Sequence, residues 1–261
     1  MLTREMIMDE LTKKGYEVSA FDKVKNGVLM NGIMCRRGNI SPVFYVNELI
    51  ENENMELDEA VKIVESVLRT ETPNLNIEEI TSPDYILNNV YMGLQRVSAE
   101  EILKKKTEFK GIECYLYVRV EEGIFKLLTT TIKILGISEL ELWRKAKENT
   151  EKETDIISLS EAMKELGMEV QGLNEYVVSN KDRRLGASGI LMKDKIKQFA
   201  NELGVDSFVM LPSSIHEVIL LPINKGDVVD LEFYNMMVSE VNESEVLPEE
   251  RLTDRAYLIE I

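Results

Sequence analysis

One histidine, His216, serves the whole 261-residue chain, and only two cysteines, Cys35 and Cys114, accompany it. Zinc sites draw most of their ligands from these two residue types, so no zinc site of the usual kind can be assembled. The stretch HEVIL, residues 216–220, carries Leu220 where H-E-x-x-H needs its second histidine, which excludes a zincin. A carboxylate-only Mg²⁺ or Ca²⁺ site stays open, but no EF-hand spacing is present. No metal and no cofactor are assigned. Cys35 and Cys114 lie far apart, in different predicted strands, and read as reduced core residues rather than a disulfide.

Cations are scarce as well. Lys and Arg number 31 against 47 Asp and Glu, a net charge of -16. Phosphate binding needs clustered Lys and Arg, so direct nucleic-acid binding and anionic membranes are disfavoured. The acidity reads first as solubility, and in a minority of cases as a decoy for a basic nucleic-acid-binding surface. No apolar run approaches the roughly 18 residues of a membrane span. Acids and lysines interrupt MLTREMIMDELTKKG where a signal peptide needs an apolar stretch. The expected location is the cytoplasm, with no membrane partner.

What is present is patterned for an α+β fold. Residues 3–14 form an amphipathic helix closed by Gly15, and two strands meet at the turn KNG. GNISPVFYV is a third strand, with Pro42 at an edge or strand start. Leu57, Val61, Val64 and Leu68 then repeat at helical spacing. This β-β-β-α unit is expected to end near the polar connector, giving domains 1–71 and 72–261. In the larger domain YILNNVYMGLQ is expected as a strand. Three S-x-x-E capping boxes, starting at Ser98, Ser138 and Ser158, predict helices. The first runs through Lys106, and the second turns Leu140, Trp143 and Ala146 to the core. GIECYLYVRV, IFKLLTTT, EYVVSN, DSFVML, IHEVILLP and RAYLIEI read as strands. ILMKDKIKQFANEL is a helix, as is DVVDLEFYNMMVSEV, with Val229, Phe233, Met236, Met237 and Val241 on one side. Strands in hairpins with single helices between them imply mixed or antiparallel sheets rather than strict βαβ units.

Two stretches invite chemistry. In LPSSIHEVILLP, strand alternation puts His216 and Glu217 on opposite faces. Ser213 and Ser214 lack a G-x-S-x-G elbow, and triad members normally come from separate segments. A hairpin turn with a half-buried histidine is the simpler reading. RRLGASGIL, residues 183–191, could present backbone N–H groups to an anion beside Arg183 and Arg184. It matches neither phosphate-loop pattern, and close packing at Gly186 and Gly189 is the simpler account. If these stretches act together, Arg183, Arg184, Ser188, Ser213, Ser214 and His216 are the candidate ligand or interaction residues. No residue is assigned as catalytic.

Three blocks, in residues 22–51, 134–150 and 186–260, resemble a domain-of-unknown-function family associated with anaerobic Gram-positive bacteria. They include VKNGVLMNGIMCRRGNISPVFYVNELIE, ILGISELELWRKAKENT and VMLPSSIHEVILLP. LGISELELWRKAKEN also resembles a module of a second uncharacterised family, and residues 71–133 match least. The resemblance implies no activity and no site residues. The sequence is therefore expected to encode a non-catalytic interaction protein with a protein partner. The alternatives are a ligand-binding protein or unfamiliar enzyme built on the two turns, and an acidic decoy of a mobile element.

Overall fold

The computed structural model describes residues 1–36, 41–70, 76–121, 123–165, 167–170 and 172–261. It divides into two compact units, Met1–Leu75 and Asn76–Ile261. Both combine helices with antiparallel sheets, the α+β class expected. Among the described residues no helix is long and apolar enough to cross a membrane.

In the first unit α1 (Arg4–Lys13) starts at Thr3, whose hydroxyl accepts the Met6 N–H, and it buries Ile7 and Leu11. Strands β1 (Val18–Lys25) and β2 (Val28–Cys35) are joined by Asn26 and Gly27, both at positive φ (48° and 82°). That is what a tight two-residue hairpin demands. Among the described residues strand β3 (Val43–Tyr45) pairs only with β2, so the residue after Pro42 opens an edge strand, as expected. Helix α2 (Asn47–Glu51) is short, and α3 (Leu57–Leu68) buries Ala60, Val61, Val64 and Leu68. These close a core with Ile7, Leu11, Ile33, Cys35 and Val46.

Glu65 ties α3 to the chain that follows α1. Its carboxylate meets Lys14 Nζ at 3.0 Å, the Tyr16 hydroxyl at 2.9 Å and Arg69 Nη2 at 2.7 Å. The Lys14 and Tyr16 hydrogen bonds hold its pKa down at about 2. A carboxylate with a depressed folded pKa stabilises above its unfolded pKa, and loses that contribution as pH falls through the folded value. Glu65→Gln should therefore melt earlier than wild type at pH 7. The difference should shrink between about pH 5 and pH 2, followed by circular dichroism across that range.

The second unit opens with α4 (Ile77–Ile80) and α5 (Pro83–Asn89). The strand expected over residues 85–95 is helical in its first half. Ser82 accepts the Tyr85 N–H, Pro83 occupies the first helical turn, and the chain extends only from Val90. Strand β4 (Val90–Arg96) then pairs with β6 (Ile112–Val120), whose other side carries β5 (Lys104–Lys106) and β7 (Gly123–Lys126). The helix expected from Ser98 to Lys106 does not form. Ser98 instead gives its hydroxyl and N–H to the buried carboxylate of Glu113 (2.9 and 3.1 Å), and Lys104–Lys106 is a strand.

Helix α6 (Thr131–Leu135) precedes α7 (Glu139–Glu153), which Ser138 caps as predicted. The core face holds Leu142, Trp143 and Ala146; Leu140 is 80 % exposed. Strand β8 (Thr154–Ser158), capped helix α8 (Leu159–Glu165) and β9 (Tyr176–Asn180) follow. The helix predicted from Ile190 starts later: Gly186–Leu191 is a 3-10 helix, and α9 (Lys193–Leu203) comes after it. Strands β10 (Ser207–Pro212) and β11 (Val218–Ile223), helix α10 (Leu231–Glu245) and strand β12 (Tyr257–Glu260) complete the unit. The sheet order is β12-β10-β11-β9-β8, antiparallel throughout. One core joins both sheets through Leu94, Leu116, Trp143, Ile190, Phe208 and Leu220.

Candidate functional site

His216 lies in the turn before β11 rather than on the strand, so strand alternation does not govern it. The turn meets the 183–189 segment. That segment bends through Arg183 and Leu185, both at positive φ (53° and 56°). Asn180 holds the bend: its Oδ1 accepts the Arg184 N–H (3.1 Å), and its Nδ2 donates to the Arg184 carbonyl (2.7 Å). His216 Nδ1 accepts the Leu185 N–H at 3.1 Å, which leaves the ring proton on Nε2, 3.2 Å from Glu250 Oε1. The His216 carbonyl accepts the Ser179 hydroxyl at 2.8 Å, and Ala187 N–H reaches the Ile215 carbonyl at 3.4 Å. Both ring nitrogens are thus engaged within the protein, Nδ1 by the Leu185 backbone and Nε2 by the Glu250 carboxylate, whereas a general base must face a substrate proton.

The other candidates scatter from this junction. Arg183 faces carboxylates, Glu165 at 3.3 Å and Asp155 at 3.8 Å, and Arg184 contributes only backbone groups to the Asn180 bend. Ser214 is buried and accepts the His216 N–H at 3.0 Å. Ser188 is buried and donates to the Met92 carbonyl at 2.6 Å. It lines a cleft of about 10 Å³ beside Tyr91, Tyr117 and Glu153, room for no more than a water. Ser213 lines a different notch, of about 120 Å³, against α10. The two turns are brought together, but their serines open on different clefts.

Other reactive groups are muted. Burial pushes the Cys114 thiol up to about 12, so its nucleophilic thiolate is suppressed. Burial, and then the hydrogen bond to Glu153, push the Tyr91 phenol upward, and it donates to Glu153 at 2.7 Å. Cys35 and Cys114 are both free thiols, and among the described residues no cluster of His, Cys, Asp and Glu could hold a metal ion.

A larger concavity than either of these clefts lies elsewhere, along β12. It is a groove of about 610 Å³, lined by the six residues from Ala256 to Ile261 and by Ile190, Lys193 and Ile196 on the facing side. Phe109 packs edge-to-face on Tyr257 with ring centres 5.2 Å apart. Lys193 bonds Glu108 at 2.6 Å across two of the lining segments. Among the described residues strand β12 pairs with β10 alone. The Ile261 N–H goes to the Asp206 carbonyl at 3.0 Å. The antiparallel register then makes Ile259/Phe208 and Tyr257/Met210 hydrogen-bonded pairs. The N–H and C=O groups of Leu258 and Glu260 therefore point away from β10, and among the described residues no backbone partner meets them. Sequence alone marks residues 257–260 as a strand. Whether a strand ends a sheet depends on pairing that no local pattern encodes.

The sequence model of a family of unknown function, DUF5688, matches residues 3–260. The chain belongs to that family. The match takes in residues 71–133, the weakest part of the three-block resemblance, so both units of this DUF5688 member lie within one family pattern. No curated protein and no solved structure matches the chain. Membership therefore brings no activity to these residues.

Proposed function

We propose that this protein is a non-catalytic interaction protein that takes an extended segment of a protein partner along the open edge of β12. The carrying observation is that edge: the outward N–H and C=O groups of Leu258 and Glu260, set along the 610 Å³ groove. Strand addition derives affinity from main-chain hydrogen bonds and specificity from pockets for alternate side chains. Phe109, Ile190, Ile196 and Tyr257 supply apolar walls for such side chains. The engaged ring of His216 and the muted thiol of Cys114 favour binding over catalysis. The setting is the cytoplasm of a bacterial cell, where buried free thiols such as Cys35 and Cys114 stay reduced.

Leu258→Pro tests the reading. It deletes one outward N–H and spares the β10 pairing, a substitution that sheet edges tolerate. Extended peptides selected against the protein from a displayed library, then measured singly, should bind Leu258→Pro at least about tenfold more weakly, the equivalent of about 1.4 kcal/mol. Leu258→Ala should keep most of the affinity, and hydrogen exchange at Leu258 and Glu260 should slow on binding. Undiminished binding by a Leu258→Pro protein that melts like wild type would remove the proposal.

A further inference from the structure

Helix α10 offers a second surface, independent of the β12 edge. Its inward stripe holds Val238 and Asn242, and Asn242 donates to the Thr253 carbonyl at 3.0 Å. The opposite stripe is apolar and uncovered: Phe233 is 50 % exposed, Met236 66 %, Met237 37 % and Val241 44 %. Helical spacing places these four on one side. Of the five residues that the sequence placed on one side, Val229 lies before the helix, which starts only at Leu231, and the other four form a stripe that faces outward. Beside it lies the 120 Å³ notch, where Met237, Val238 and Val241 face Leu211, Pro212 and Ile219. An apolar stripe next to an apolar notch is an anchor site for an incoming side chain.

Charge selects the occupant. Between Lys225 and Arg251 the sequence has eight acids and no Lys or Arg. Glu232 and Glu243 flank the stripe on one side, Glu245 on the other, and Glu240 sits within it; all four are exposed. Two copies of this face would oppose like charges across an apolar seam, which costs association. The complement is a helix with an apolar face bordered by Lys and Arg. Methionines suit such a face, because their unbranched side chains adapt to varied apolar surfaces. We infer that α10 docks a basic amphipathic helix of a protein partner, its apolar residues on Phe233, Met236 and Met237, one of them in the notch.

The test uses the full chain and a synthetic 18-residue helix of leucine and lysine in amphipathic order, with a leucine–glutamate helix as its counterpart. Methyl-labelled methionine gives the readout, since Met236 and Met237 are identified by their loss in Met236→Leu and Met237→Leu. The lysine peptide should shift these two signals and leave the buried Met192 and Met210 unmoved, and the glutamate peptide should shift none. Raising salt from 50 to 300 mM should weaken binding several-fold. Phe233→Ser/Met236→Ser keeps every charge and changes only exposed positions, so it should fold and bind at least tenfold more weakly. Leu258→Pro should leave this binding unchanged, which separates its failure from that of the strand-edge reading. The inference is overturned if the double serine variant binds as tightly as wild type, which would be charge attraction alone. It is also overturned if Met236 and Met237 shift with protein concentration in the absence of peptide, which would make a second copy the occupant.

Discussion

Gly186→Ala is expected to destabilise the second unit by about 3 kcal/mol or more. A Cβ at this position would stand 2.4 Å from the Asn180 nitrogen, 2.5 Å from Ser179 Oγ and 2.8 Å from the Ser179 carbonyl carbon. Two of those three atoms are backbone of β9, so no side-chain rotation relieves the clash. Either the 3-10 helix lifts off the strand or the strand bends. Lifting also strains the Leu185 N–H to His216 bond and the Ala187 N–H to Ile215 bond next to it. For a unit of this size, 3 kcal/mol is roughly 6–12 °C of melting temperature. Gly204→Ala is the matched control. Gly204 has φ +71° and nothing within 4 Å of an added Cβ, so only the left-handed backbone is penalised, at about 1 kcal/mol. Differential scanning calorimetry of the two variants should separate them clearly. Equal melting temperatures would mean that the turn is not packed on β9 as described.

That contrast shows which parts of this molecule can be read locally. The Asn26–Gly27 hairpin, the Gly15 and Gly204 helix ends and the Ser138 and Ser158 caps were legible because each rule acts within a few residues. The family blocks were legible for the same reason, as runs of adjacent residues. Ser98 failed because its competitor is distant in sequence. A buried carboxylate on β6 needs donors more than the chain needs a helix turn, and Ser98 supplies two of them. Leu140 and Leu142 both lie in the α7 stretch, and it is the tertiary core that takes Leu142 and leaves Leu140 outside. Phe233, Met236, Met237 and Val241 gave a correct stripe and no direction, since periodicity fixes a helix face without saying what it meets. Of the candidate site, the two turns could be named from residues 183–189 and 212–217. Their junction through Nδ1 of His216 could not, and neither could the open edge of β12, because both are made by tertiary neighbours.

Lys104→Met should carry the other large effect, about 3 kcal/mol at pH 7, in keeping with removal of one partner from a buried ion pair. Glu113 is 6 % exposed and Lys104 21 %, and they meet at 3.2 Å. Gln95 Nε2 (2.8 Å) and Ser98 complete the donor set, while Lys126 pairs with Glu100 beside it at 2.9 Å. Burial alone would raise the Glu113 pKa; the hydrogen bonds from Gln95, Ser98 and Lys104 outweigh it and hold the pKa below the usual carboxylate range. In wild type this group therefore stabilises above the unfolded pKa, and the contribution fades as pH falls through the folded value. Without Lys104 the Glu113 pKa should rise, because only the Gln95 and Ser98 hydrogen bonds are left to oppose burial. Its ionised form is then less stabilising than in wild type, and the loss disappears as the group protonates at low pH. The gap between wild type and variant should be widest near pH 7 and should narrow towards pH 4. Adding Glu113→Gln to Lys104→Met should restore most of the loss at pH 7, because it removes the unpaired charge and keeps the shape. A gap that stays constant with pH, or a double variant as unstable as the single, would show that Lys104 acts through packing of its methylenes and not as the counter-charge of Glu113.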